Sequence, residues 1–229
     1  MTVKMLPRLF VAVDTPDLDA AVAMTDGLKG AAGLGIKLGL EFFGAHGPAG
    51  VKAVTERVGA GTIFLDLKFH DIPNTVAGAI RAVVPLAPAV VNVHASGGPT
   101  MMRAAAAAAT EAAAKAGVAR PAVLAVTVLT SMDESDLSAV GQTGAPEEQV
   151  VRLAKLAQEC GMDGADFLLV VPGIRPAGSQ VGDQKRVLTP AEAVKAGASS
   201  LVVGRPITQA AEPRQAAAAI LEEANAAAQ

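Results

Sequence analysis

The sequence predicts an α/β chain of the (β/α)8 TIM-barrel class, and three observations carry that expectation. Short β-branched runs alternate with alanine-rich helical stretches along the 229 residues, which implies parallel strands joined by helical crossovers. The first three strand candidates each deliver charge at the same end, and barrels build their sites at the C-terminal ends of their strands. The turn after the first strand, VDTPDLD, contains no glycine, whereas a doubly wound open sheet normally places a glycine-rich phosphate turn there.

The strands are expected at 9–13, 35–38, 62–67, 89–94, 123–129, 167–171 and 200–203. Most are apolar on both faces, as when helices cover one side and a packed interior fills the other. Asp14 ends the first strand and Lys37 lies near the end of the second. In the third, Ile63, Leu65 and Leu67 share one face and Phe64, Asp66 and Lys68 the other; with the leucine face toward helices, Asp66 and Lys68 point inward. Helical patterns fall at 17–29, 41–58, 75–84, 99–116, 147–160, 190–196 and 213–227. Val76, Ala79, Ile80 and Val83 recur at helical spacing behind Pro73, which suits a first turn. The alanine run at 104–109 is a strong helix former. The count is seven strands, not eight: after the helix ending near Cys160 the chain reads GMDGAD and enters the 167–171 run directly.

Composition narrows the function. With 51% hydrophobic and 18% charged residues the chain has ample apolar surface for a core. No Pro/Gly/Ser linker divides it, so 1–229 is expected to form a single domain. A net charge of −3 and a pI near 5.6 argue against nucleic acid as the main partner, while leaving room for a local basic pocket that takes a small anion. One cysteine, Cys160, excludes an intramolecular disulfide framework and reads as a small apolar residue rather than a nucleophile. The N-terminal stretch has five apolar residues in a row before Asp14, too few for a signal-peptide core. No run approaches the roughly 20 apolar residues a bilayer span needs. A soluble, cytoplasmic protein with no membrane partner is expected.

The strongest chemical signal is FLDLKFHDIPNT at 64–75. A lysine flanked by carboxylates, as Lys68 is by Asp66 and Asp71, is held as an ammonium, a poor nucleophile but a well-placed proton donor for a carbanion. A salt-bridge network plugging the strand ends is the structural alternative. Four charges converging from three strand ends favour chemistry, because burying them costs several kcal/mol. Asn74 and Thr75 read either as helix caps or as ligand contacts. Two glycine-containing loops follow the last two strands, VVPGIRPAGSQVGDQKR at 170–186 and LVVGRPIT at 201–208. Barrels often bind phosphate with such loops, using backbone N–H groups and a cation such as Arg205. Thr130 and Ser131 follow the fifth strand at the same end, placed to hydrogen-bond a polar ring or to begin a turn. His46, His70 and His94 lack metal-ligand spacing, and no Walker loop, HExxH or CxxC occurs, so neither metal nor cofactor is expected.

The stretch DLKFHDIPNT resembles the Asp-x-Lys-x-x-Asp-Ile-Pro-x-Thr signature of the orotidine 5′-phosphate decarboxylases. FVAVDTP, IKLGLEFF, VNVHASGG, VTVLTSM, VPGIRP…GDQKR and VVGRPIT are similar to further segments of bacterial members. The resemblance covers nearly the whole chain. It implies a cofactor-free, dimeric barrel that decarboxylates orotidine monophosphate to uridine monophosphate. It implies that Asp66 sits against the substrate carboxylate and that Lys68 protonates C6. Asp71 and Thr75 then reach into the partner subunit's site. Asp14 and Lys37 bind ribose hydroxyls, with Lys37 also linked to Asp66. Thr130 and Ser131 meet the pyrimidine, and Gln184, Gly204 and Arg205 hold the phosphate. Ile72, Pro172 and Arg175 complete the substrate-binding set.

Against that family the sixth βα unit is missing, between Met162-Asp163-Gly164 and the strand before Pro172. A closed barrel couples strand number, tilt and shear, so the expectation is that the molecule carries a segment this sequence lacks; an intact mass matching 22.9 kDa would refute it. Two other readings compete. Sugar-phosphate decarboxylases and aldolases on the same barrel share Asp-x-Lys-x-x-Asp but typically bind magnesium and lack Ile-Pro-Asn-Thr. A non-catalytic nucleotide-binding barrel conflicts with an intact Asp66, Lys68 and Asp71.

Overall fold

The computed structural model describes residues 6–163, 168–177 and 187–228. By internal contacts the chain forms two compact units. The first takes in 1–66, 168–180 and 187–229, the second 67–167 and 181–186.

In the first unit, β1 (Leu9–Ala12), β2 (Leu34–Leu38), the start of β3 (Ile63–Phe69), β6 (Val170–Val171) and β7 (Ser200–Val203) lie in the order β3-β2-β1-β7-β6. All pairings are parallel, with Leu9 opposite both Leu34 and Leu201, and Ile36 opposite Ile63. Helices α1 (Leu18–Leu28), α2 (Leu40–Val58), α7 (Pro190–Lys195), α8 (Arg205–Thr208) and α9 (Pro213–Ala226) supply the crossovers. Leu9, Phe10, Val11, Ile36, Leu38, Phe42, Val51, Val54, Leu201 and Ile207 are fully or almost fully buried, each contributing about 1.5–3 kcal/mol for the larger side chains. Phe10 meets Phe64 edge-on at 5.6 Å. Gly35 makes that packing feasible, since a Cβ there would lie 2.7 Å from the Phe10 ring and 2.6 Å from the Thr62 carbonyl. Asp17 starts α1 by accepting from the Ala20 N–H at 3.0 Å, and a Thr189–Glu192 capping box starts α7.

The second unit holds the end of β3, α3 (Pro73–Val83), β4 (Val90–His94), α4 (Pro99–Ala116), β5 (Ala122–Val126), α5 (Glu134–Ala139) and α6 (Pro146–Glu159). Here the strand order is β5-β4-β3, with β4 and β5 parallel from Val90 opposite Ala122 to His94 opposite Val126. Met101, Ala105, Ala108 and Ala112 recur on the buried side of α4, and the three alanines let it lie close against α3.

Seven strands are described, as the sequence reading counted. β5 ends the order in one unit and β6 in the other, and in the chain they flank the stretch where the sixth βα unit is missing. Asp163 marks the place. Its N–H donates to the Val123 carbonyl at 3.2 Å and its carboxylate accepts from the Val123 N–H at 2.8 Å, while Arg120 Nη1 lies 2.7 Å from both of its oxygens. The outer edge of β5 thus begins to be paired at Asp163; Gly164 to Phe167 lie outside the described residues.

Several boundaries differ from expectation. α3 starts at Pro73, so Asn74 and Thr75 occupy its first turn instead of capping it, and Ile72 is an N-cap without a side-chain bond. β5 stops at Val126, and Thr130-Ser131 form the centre of a turn closed by the Met132 N–H on the Leu129 carbonyl at 3.0 Å. α5 and α8 are six and four residues long, too short for periodicity to reveal them. Among the described residues, no helix is long and apolar enough to cross a membrane.

Candidate active site

Parallel pairing places the C-terminal ends of the first unit's strands along one edge. Ala12 opposes Lys37, Lys37 opposes Phe64, and the Val13 N–H donates to the Lys37 carbonyl at 3.0 Å. Asp14, Lys37 and Asp66 therefore meet there. Lys37 Nζ lies 3.2 Å from Asp14 Oδ1 and 3.3 Å from Asp66 Oδ2. Lys37 and Asp66 are each only 8% exposed, while Asp14 is open to solvent. Such an arrangement is not explained by stability, because apolar side chains of similar volume would serve as well or better. Gly39 is part of the device: a Cβ there would stand 2.5 Å from Asp14 Oδ1 and 3.2 Å from Lys37 Nζ.

The same edge carries the loops after β6 and β7. Pro172 is exposed, and Gly173 turns the chain at φ 75°. The Arg175 N–H donates to the Leu188 carbonyl at 2.9 Å while its guanidinium reaches the Ile174 carbonyl at 3.0 Å. Val11 opposes Val203, which brings Gly204 beside Ala12. The Gly204 carbonyl accepts from the Ile207 and Thr208 N–H groups to start α8, and Arg205 is exposed. Gln184 lies outside the described residues.

The second unit holds the rest of FLDLKFHDIPNT after Asp66. Lys68 corrects the strict alternation expected for β3. Its φ is +47°, so regular period-two geometry ends at this residue although the strand continues to Phe69. A residue with a side chain pays about 1–3 kcal/mol for that conformation, and such strain clusters at functional sites. The Lys68 N–H donates to Asn92 Oδ1 on β4 at 2.8 Å. Beyond it, the Asp71 carboxylate accepts from the Ile72 N–H at 2.6 Å. Asp71, Ile72 and Thr75 are all exposed, Ile72 at 67%, while Val76, Ala77, Ile80 and Val83 of α3 face inward. Thr130 is half-buried and Ser131 exposed.

The histidines have ordinary surroundings. His46 Nε2 is 2.7 Å from the Pro16 carbonyl, and His70 lies against His94 with ring centroids 5.4 Å apart. Cys160 is buried. Among the described residues no three His, Cys, Asp or Glu side chains gather as a metal site. A cleft of about 700 Å³ lined by Gly30, Leu34, Arg214 and Leu221 lies at the opposite, N-terminal end of β2, where barrels keep residues for stability rather than chemistry. Sequence reasoning missed Asn92 and Gly39. Asn92 left a signal, an amide in the otherwise apolar run VVNV; Gly39 left none beyond its position after a strand.

Residues 7–220 match the model of the orotidine 5′-phosphate decarboxylase / HUMPS family. The chain belongs to this family. It is 53% identical to an orotidine 5′-phosphate decarboxylase of Rhodospirillum rubrum, over 94% of this chain and 93% of that one. It is 52% identical to one of Moorella thermoacetica, over 94% and 91%. A crystal structure of orotidine 5′-phosphate decarboxylase from Lactobacillus acidophilus matches with a TM-score of 0.81 at 34% identity, covering 96% of this chain and 99% of that one. The fold class is accordingly the (β/α)8 barrel with one βα unit missing. Since 94% of 229 residues is about 215, about 16 of the 231 positions aligned with the Rhodospirillum protein have no counterpart here.

Proposed function

We propose that the chain decarboxylates orotidine 5′-monophosphate to uridine 5′-monophosphate, with Lys68 as the proton donor. The observation that carries this reading is the Asp14–Lys37–Asp66 charge cluster at strand ends, in which Lys37 and Asp66 are buried, with the strained Lys68 two positions after Asp66 in the sequence. In the reaction the C6–carboxylate bond breaks, carbon dioxide leaves, and its electron pair remains at C6 until the Lys68 ammonium gives it a proton. An ammonium fixed beside a developing carbanion stabilises the transition state more than the substrate, which is what raises the rate. Asp66 faces the departing carboxylate, and Lys37 holds Asp66 in place from the neighbouring strand.

The remaining roles follow the family motif. Asp14 and Lys37 take ribose hydroxyls, Thr130 and Ser131 the pyrimidine, and Gln184, Gly204 and Arg205 the phosphate, with Ile72, Pro172 and Arg175 as further substrate contacts. Binding energy from the phosphate, remote from C6, orients the ring. The chain acts as a homodimer in which Asp71 and Thr75 complete the partner's site; their exposure supports that assignment. The barrel works as one domain without metal or cofactor.

The test follows the orotate absorbance of the substrate with chelator present. Wild type should remove the chromophore rapidly and Lys68→Ala almost not at all. Equal rates would take Lys68 out of the mechanism, and dependence on added magnesium would favour a sugar-phosphate lyase instead.

A further inference from the structure

We propose that Asn92 is the positioning residue that sets Lys68 for proton delivery, an inference that rests on the proton-donor role just given. Asn92 is 3% exposed in the middle of β4, and Val90, Val91 and Val93 around it are fully buried. Packing alone would call for a fourth apolar residue, since a buried amide is tolerated only when hydrogen-bonded. Its Oδ1 accepts from the backbone N–H of Lys68 at 2.8 Å, at the residue whose φ is +47°. A left-handed non-glycine residue inside a strand persists only where its surroundings over-determine it. Relaxing it to ordinary strand geometry would restore the period of two and re-aim every side chain from that point on.

A second set of contacts from the same part of the fold holds the chain just beyond Lys68. His70 lies against His94, the last residue of β4, at 5.4 Å. Gly97, in the 3-10 turn Ala95–Gly97 that follows, comes so close that a Cβ would stand 3.2 Å from the His70 ring. β4 and its following turn thus clamp Lys68 at its N–H and the chain again two residues later. The lysine is aimed by its backbone, and Asn92 is the side chain that holds that backbone.

The experiment measures kcat, per UMP-binding site, and the Kd for UMP in wild type, Asn92→Ala, Asn92→Asp and Lys68→Ala. UMP lacks the carboxylate and needs no proton, so its affinity reports the folded site and not the aim of Lys68. Asn92→Ala should lower kcat about 100-fold, the scale of an ångström-sized misplacement, with UMP affinity within threefold of wild type. Asn92→Asp, which keeps an acceptor oxygen in place, should recover kcat to within tenfold of wild type. If Asn92→Ala yields no UMP-binding sites, Asn92→Leu, close in volume and without an acceptor, takes its place with the same expected loss. The inference is overturned if the variant without an acceptor keeps kcat within threefold, if kcat and UMP affinity fall together, or if the aspartate is as slow as the alanine. Lys68→Ala separates the two readings: activity retained there removes the proton-donor role itself, whereas an inactive Lys68→Ala beside an active Asn92→Ala removes only the role of Asn92.

Discussion

Replacing Lys37 by Met and Asp66 by Asn, singly and together, decides whether the charges at the strand ends are there for stability or for chemistry. At 3.3 Å and an effective dielectric near 20, their attraction is roughly 5 kcal/mol before desolvation is subtracted. Lys37→Met takes this cation from a carboxylate that is 8% exposed, and removing one member of a buried pair costs about 3–5 kcal/mol. The low end, about 3 kcal/mol, is expected, since Asp66 keeps other contacts. For a chain of this size that lowers Tm by roughly 6–12 °C. Asp66→Asn leaves Lys37 beside Asp14 at 3.2 Å and should cost about 1 kcal/mol. The double variant removes both charges and should lie within about 1 kcal/mol of wild type, a coupling of about 3 kcal/mol. Urea unfolding gives the four stabilities and orotate absorbance the four rates. Recovered stability with lost activity is the expected result. Additive destabilisation would refute the electrostatic reasoning, and an active double variant would show the cluster to be structural.

Three further outcomes are expected. Gly39→Ala places a methyl group against Asp14 Oδ1 at a residue whose φ of −100° suits alanine. The exposed Asp14 side chain can swing away, so stability should fall by less than about 1 kcal/mol while KM for the nucleotide rises. The Glu192 carboxyl is held below its ordinary 4.5 by the Thr189 N–H and hydroxyl, with a smaller contribution from Lys195. A lowered folded value means stability present above 4.5 and lost as pH falls through the lowered value; wild type and Glu192→Gln should differ in urea midpoint at pH 7, and the difference should shrink as pH falls below 4.5. Mixing inactive Lys68→Ala with inactive Asp71→Ala should restore activity, because each mixed dimer then holds one site with both residues intact. No recovery after subunit exchange would place Asp71 in its own subunit's site.

The sequence by itself determined the alternation of strands and helices, the count of seven strands, and the convergence of Asp14, Lys37 and Asp66. These follow from local periodicity and from the rule that parallel strands present their C-terminal ends together. It also located the missing unit, because a strand and helix cannot be fitted between Asp163 and Leu168. What it could not supply were relations set by contact rather than by spacing. That Lys37 stands between Asp14 and Asp66 depends on strand register. That Lys68 leaves the alternation of β3 depends on an acceptor on β4, 24 residues further along the chain. The room for the Asp14 carboxylate beside Gly39 is likewise a matter of close approach. A residue's own sequence carries its propensities and its period; only the tertiary structure brings together the partner that overrides them.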